Sequence, residues 1–123
     1  MSENELSYKI IGCAMKVHSA LGPGLLENVY EQCLAYELRK SGIPVDTQVA
    51  LPVVYEEVKI EVAYRIDMMI DRKVIVECTA AAGLHPVFAA QLQTYLKFSG
   101  CKLGLLINFH VALLKDGLKR VIN

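Results

Sequence analysis

The run Leu103-Gly104-Leu105-Leu106-Ile107 is apolar throughout and constrains the fold more than any other part of the chain. A strand with one wet face alternates apolar and polar side chains, whereas a strand covered on both faces does not. The run therefore predicts a sheet with helices packed on both of its faces, which is an α/β fold.

Three other segments carry apolar residues at three- and four-residue spacing, which is typical of helices with one buried face. We expect these helices over residues 5–20, 25–41 and 86–99. In the second and third helices the residues expected to face inward are Leu26, Val29, Tyr30, Cys33, Leu34, Leu38, Val87, Ala90, Gln91, Thr94 and Tyr95.

Short runs rich in β-forming residues, separated by turn residues, predict the strands. Their approximate bounds are 47–55, 58–63, 65–70, 73–78, 103–107 and 118–122. The first four are expected to form an antiparallel meander, and the whole order reads ααββββαββ. We therefore predict a single α/β domain over residues 1–123, with a central mixed sheet flanked by helices.

Hydrophobic residues make up 54% of the chain, above the usual ~45–50%, but charged residues interrupt every long apolar segment. No run approaches the roughly 18 apolar residues of a membrane span. Acidic Glu3 and Glu5 stand where a signal peptide would be basic. The sequence thus predicts a cytoplasmic protein with no membrane partner. The apolar fraction also exceeds what a small core readily buries, which leaves a homodimer as one alternative.

The formal net charge is zero, but the two halves of the chain differ in sign. Residues 1–61 carry five basic and nine acidic side chains, and residues 62–123 carry eight and four. A locally basic half can attract a polyanion such as nucleic acid. Arg65, Arg72 and Lys73 are either phosphate contacts or ordinary solvated charges at a hairpin.

Two carboxylates, Asp67 and Glu77, lie on predicted strands joined by a short turn. Side-chain alternation places Glu77 and Thr79 on one face of their strand and Cys78 on the other. Two neighbouring carboxylates repel each other unless a metal or a proton joins them. The pair is therefore either a divalent-metal site or a vestigial acidic pair.

The segment Gly24-Leu25-Leu26-Glu27-Asn28-Val29-Tyr30 reads GxxExxY and resembles the signature of the GxxExxY protein family, within the PD-(D/E)XK nuclease superfamily. The resemblance extends over nearly the whole chain. It includes Tyr64-Arg65-Ile66-Asp67, Val74-Ile75-Val76-Glu77, the QxxxY spacing of Gln91 and Tyr95, Leu103–Phe109 and Lys115-Asp116-Gly117.

This resemblance implies hydrolysis of nucleic-acid phosphodiesters with Mg²⁺ or Mn²⁺ as the metal. Asp67, Glu77 and the carbonyl of Cys78 would hold the metal, and Glu27 would be a further ligand or would orient a metal-bound water. Gln91 and Tyr95 would complete the catalytic set by positioning the backbone or a lysine. Hard oxygen ligands of this kind suit Mg²⁺.

The departures from the family pattern are concentrated at this site. The family carries E-L-K where this chain has Glu77-Cys78-Thr79, and a histidine before the QxxxY helix where this chain has Phe88-Ala89-Ala90. Loss of one electrostatic catalytic group typically costs ~10²–10³ in rate. The sequence therefore predicts a nuclease-like protein with impaired catalysis.

The small residues around the site also support an alternative function. Replacement of long polar side chains by alanines should leave an apolar cavity, unless the neighbouring residues collapse into it. The residues expected to line this pocket are Thr79, Ala81, Ala82, Phe88 and Tyr95. On this alternative the chain, natural or engineered, is a noncatalytic protein that binds a small apolar ligand.

Overall fold

The computed structural model describes residues 1–123 as three helices, five strands and one 3₁₀ turn. In chain order these are α1 (Glu3–Leu21), α2 (Glu27–Lys40), β1 (Val45–Tyr55), β2 (Val58–Ile70), β3 (Val74–Thr79), α3 (Pro86–Ser99), β4 (Leu103–Asn108), the 3₁₀ turn Leu114–Gly117 and β5 (Leu118–Ile122).

The predicted fold class is confirmed. The strands form one mixed sheet in the order β1-β2-β3-β4-β5, antiparallel except for the β3–β4 pair. Helices α1 and α2 pack on one face of the sheet and enclose the larger core, while α3 packs on the other face and encloses the smaller core. All six residues of β4 are buried, as expected for a strand covered on both sides.

The structure corrects one strand boundary. The segments 58–63 and 65–70, predicted as two strands, form the single strand β2, so the element order reads ααβββαββ. Tyr64 stays in the sheet and pairs with Leu51. The register between β1 and β2 shifts between Leu51 and Val53, and such a bulge breaks the residue pattern without ending the strand.

Two helix faces also differ from the prediction. Leu26 is not inside α2 but precedes it as the N-cap residue and is 74% exposed. In α3 the buried residues are Leu92, Tyr95 and Leu96, whereas Gln91 is exposed. Burial of Leu92, Tyr95 and Leu96 against the sheet removes apolar surface from water in this orientation of α3. No helix of the structure is both long and apolar enough to cross a membrane.

Asn108, at the end of β4, fixes the segment that follows β3. Its side chain accepts a hydrogen bond from Ala81 N at 3.2 Å and donates one to Ala81 O at 2.9 Å. Gly117 packs directly on the backbone of Asn108, because a Cβ atom added at Gly117 would overlap the Asn108 carbonyl oxygen.

We expect Gly117→Ala to lower the free energy of unfolding by about 1–3 kcal/mol, the usual cost of overpacking where the backbone must shift. Urea unfolding followed by circular dichroism measures this loss. Gly12→Ala is the matched control, because a Cβ at Gly12 in α1 meets no atom within 4 Å. Equal stability of the two variants would contradict the close packing at Gly117.

Candidate functional site

Asp67 and Glu77 mark the point where β3 parts from β2. The β2–β3 pairing ends at Met68 and Val76, and one further step in the same register would place Asp67 opposite Glu77. Like charges directly opposite each other destabilise an antiparallel pair. Side chains provide the next contacts instead: Asp67 N donates to Glu77 Oε2 at 2.8 Å, and Cys78 N donates to Asp67 Oδ2 at 3.1 Å. Each carboxylate is therefore held by the backbone of the opposite strand.

At the same point the alternation of side chains between the two faces of the sheet is interrupted in β1 and β2. Met68 belongs to the larger core and Ile66 to the smaller one, although strict alternation would place both on one face. On β1, Val45 and Leu51 are divided between the cores in the same way. In the register of β1 and β2, Gln48 lies opposite Asp67. The φ of Gln48 is 51°, a left-handed backbone conformation that is uncommon outside glycine. This local distortion places half-buried Asp67 between the two cores.

A cavity of about 220 Å³ lies where the pairing of β2 and β3 ends. It brings together Glu27, Asp67, Glu77, Gln91 and Tyr95, the residues predicted for metal binding and catalysis, with Thr79 and Phe88 of the predicted pocket. Arg65, Cys78 and Leu106 complete its lining. Arg65 is the only basic residue that lines the cavity, which three carboxylates share.

Tyr30, the last residue of the GxxExxY segment, organises the approach to α2. Its fully buried ring stacks on Phe109 with ring centroids 4.4 Å apart. Its hydroxyl donates to Gly22 O and accepts a hydrogen bond from Leu25 N at 3.0 Å. These contacts fix the turn before α2 and thereby the position of Glu27, the first residue of that helix.

Glu31 is a neighbour of the site that the sequence analysis missed. Its Oε1 accepts a hydrogen bond from Gln48 Nε2 at 2.8 Å, which ties α2 to the distorted part of β1. Burial, followed by the charges of Asp67 and Glu27, raises the pKa of Glu31. Its position one turn after Glu27 on the same helical face is the signal that could have identified it.

Glu77 is the most perturbed carboxyl group at the site. Burial, reinforced by the negative charge of Asp67, raises the pKa of Glu77 to about 9. The same order of causes, burial first and then the charges of Glu77 and Asp67, raises the pKa of Tyr95 to about 12. Neither Asp67 nor Glu77 forms an ion pair. Without an ion-pair partner, Glu77 therefore keeps a proton at neutral pH that a bound cation would displace.

The residues that follow Glu77 have different environments. Cys78 points into the larger core, as predicted, and burial raises the pKa of its thiol well above the ordinary value, which disfavours a nucleophilic thiolate. Thr79 is 6% exposed, and its buried hydroxyl has no hydrogen-bond partner. An unpartnered buried hydroxyl that borders a cavity suits a bound water or ligand oxygen.

Glu27 is the third predicted metal ligand. No group of three His, Cys, Asp or Glu side chains is arranged as a metal site in the structure, and the role of Glu27 stays a prediction. Glu27 is exposed at the start of α2, where it lines the cavity with the Asp67–Glu77 pair. This position is compatible with both predicted roles of Glu27, direct coordination and orientation of a water.

The predicted apolar pocket is not a single cavity. Ala81 and Ala82 line a separate space of about 600 Å³ along residues 81–88, whereas Thr79 and Tyr95 line the cavity at the carboxylates. Only Phe88 borders both. Asn108 holds the backbone of Ala81, at the start of the segment that lines the separate space, by two hydrogen bonds.

A family model of the PD-(D/E)XK nuclease superfamily matches residues 4–121, nearly the full length of the chain. The superfamily predicted from the sequence is thereby confirmed, while the narrower GxxExxY family stays a prediction. No curated protein and no solved structure gives a significant match.

Proposed function

This chain belongs to the PD-(D/E)XK nuclease superfamily, and from that premise we propose that it binds Mg²⁺ or Mn²⁺ through Asp67 and Glu77 next to the phosphodiester backbone of a nucleic acid. The observation that carries the proposal is the carboxylate pair itself. The two groups are fixed by each other's strand, share one cavity and have no ion-pair partner.

The donor set fits a hard divalent cation. Mg²⁺ binds protein sites through one or two carboxylates and retains several waters. Asp67 and Glu77 supply the carboxylates, and the carbonyl of Cys78 is a further oxygen on the same strand. The unpartnered hydroxyl of Thr79 would hydrogen-bond a retained water. When bound, such a cation lowers the pKa of a water and neutralises charge on a phosphate.

The other cavity residues supply contacts to the substrate. The guanidinium of Arg65 suits a phosphate oxygen, because it presents several N–H donors in a fixed plane. Gln91, exposed on α3, offers an amide at the same cavity. Tyr95 keeps its proton at neutral pH and is held against Tyr64, with ring centroids 5.3 Å apart, so it is a fixed hydrogen-bond donor.

Hydrolysis by this site should be slow. Thr79 occupies the position of the family lysine and brings a neutral hydroxyl where a cation would stabilise the transition state. Removal of such a group typically costs ~10²–10³ in rate. We therefore propose metal and nucleic-acid binding with impaired catalysis. The alternative of a small-ligand protein is less well supported, because the predicted pocket residues are divided between two cavities.

We expect the parent protein to bind Mn²⁺ at one site, and Asp67→Asn to weaken that binding by at least about tenfold, since loss of a ligand should cost no less than loss of an outer-shell partner. Titration followed by electron paramagnetic resonance of free Mn²⁺ measures the affinity. Asp71→Asn removes the same charge at the turn between β2 and β3, away from the cavity, and should leave the affinity for Mn²⁺ unchanged. Absence of binding by the parent, or equal affinity of Asp67→Asn, would overturn the proposal.

A further inference from the structure

The outer part of the β1–β2 hairpin extends beyond the rest of the sheet. β3 pairs with β2 only from Met68 to Ile70, so β2 from Val58 to Asp67 has β1 on one side and no strand on the other. Six large apolar side chains of this ribbon are 37–67% exposed: Val54, Tyr55, Val58, Ile60, Val62 and Tyr64. A two-stranded ribbon alone is marginally stable, and a large exposed apolar patch usually marks an interface.

The two edges of the ribbon are not equivalent. Pro52 lies on β1, the edge strand of the sheet, and proline discourages further pairing at such an edge. Across from Pro52 the register shifts, so that residues 61–63 of β2 oppose it without pairing to β1. Proline has no N–H to donate to them. On the other edge of β2, the strand β3 pairs only from Met68 onward, so the outward backbone groups of Val58–Ile66 have no partner strand, and no proline blocks that edge.

The sequence of this edge is complementary to itself. Val58-Lys59-Ile60-Glu61-Val62 reads nearly the same in both directions, with opposite charges on the two sides of Ile60. In an antiparallel pairing of two copies centred on Ile60, Lys59 of each copy is opposite Glu61 of the other, and Val58 is opposite Val62. Within one chain Lys59 Nζ is 3.6 Å from Glu61 Oε1, with both side chains mostly exposed, so both charges lie on the same side of the strand.

We propose that a second copy of this chain pairs with this edge, β2 against β2 around a two-fold axis at Ile60. The same patch is used on both subunits, as a two-fold dimer requires. The pairing joins two five-stranded sheets, covers exposed apolar side chains of both ribbons and provides partners for free backbone groups of β2. It requires no metal and no nuclease activity, so it stands independently of the proposed function.

Charge reversal tests this register directly. We expect the parent to sediment at equilibrium as a dimer, at twice the 13.6 kDa of one chain. Glu61→Lys places lysines opposite each other at both symmetric positions and should weaken dimerisation by roughly tenfold or more. The double variant Lys59→Glu with Glu61→Lys restores opposite charges at both positions and should restore the dimer.

Glu57→Lys is the matched control. It makes the same charge change at the exposed hairpin turn, where the proposed pairing places it opposite uncharged Ala63, and should have little effect. Lys59→Glu is a second disrupting variant in case Glu61→Lys fails to fold, which circular dichroism would show. A monomeric parent, a dimer insensitive to both single reversals, or a double variant that stays monomeric would each overturn the proposal.

Discussion

Replacing Thr79 by lysine should raise the rate of metal-dependent nucleic-acid cleavage by about 10²–10³, the usual value of one electrostatic catalytic group. Thr79 follows Glu77 on the same face of β3 and lines the cavity that holds both carboxylates. Its hydroxyl has no hydrogen-bond partner, so the substitution breaks no existing bond. A lysine there would also supply the cation that the Asp67–Glu77 pair lacks. Single-turnover cleavage of labelled DNA and RNA with Mg²⁺ or Mn²⁺ measures the rate.

Two controls separate the effect of the lysine charge on the rate from the effect of a longer side chain and from cleavage that does not use the metal site. Thr79→Met adds a long side chain without a charge and should give no gain in rate. Adding Glu77→Gln to Thr79→Lys should abolish the gain, because the carboxylate that positions the metal is removed. A parent protein that already cleaves as fast as Thr79→Lys would contradict the proposed impairment. A lysine variant with no cleavage above the parent would show that more than this cation is missing.

The features that follow from periodicity and spacing could be predicted from the sequence. The apolar run in β4 correctly indicated a sheet covered on both faces. The spacing of Asp67 and Glu77 on adjacent strands, with Gln91 and Tyr95 one turn apart on a helix, indicated residues that one cavity does bring together. Such patterns are local consequences of helix and strand geometry.

The features that depend on tertiary contacts could not be predicted in this way. The register shift near Pro52 allows β2 to continue where the residue pattern suggested a break. The distortion at Gln48 reverses the two faces of the hairpin, which no alternation rule anticipates. The predicted apolar pocket is divided between two cavities, and Ala81, which lines one of them, is held by Asn108, a residue 27 positions away.

Glu77→Gln should stabilise the metal-free protein at alkaline pH. Because the pKa of Glu77 is about 9 in the folded protein and its ordinary value is 4.5, the folded protein holds a proton there that the unfolded chain has lost. The stabilisation is fully present below pH 4.5 and is lost as the pH rises through 9. Each pH unit within that window costs up to about 1.4 kcal/mol. Glutamine does not ionise, so the variant escapes this loss.

Thermal unfolding in the presence of a chelator, recorded for both proteins at pH 6 and pH 8, measures the difference. We expect the melting temperature of Glu77→Gln, relative to the parent, to rise by roughly 5 °C or more between the two pH values. Glu57→Gln, at the exposed hairpin turn, should show no such change. A parallel pH dependence of parent and Glu77→Gln would contradict the raised pKa.

Addition of Mn²⁺ at pH 8 should reverse the order of the melting temperatures, so that the parent melts above Glu77→Gln. A cation that binds only the folded state stabilises it in proportion to the logarithm of its concentration. The parent should therefore gain melting temperature with Mn²⁺, and Glu77→Gln, which lacks one carboxylate of the site, should gain little. The same carboxyl group would then weaken the metal-free fold and strengthen the metal-bound one. A buried carboxyl group that destabilises the metal-free protein and stabilises the metal-bound protein is expected of a retained binding site. In a vestigial pair, the buried carboxyl group would only destabilise the protein.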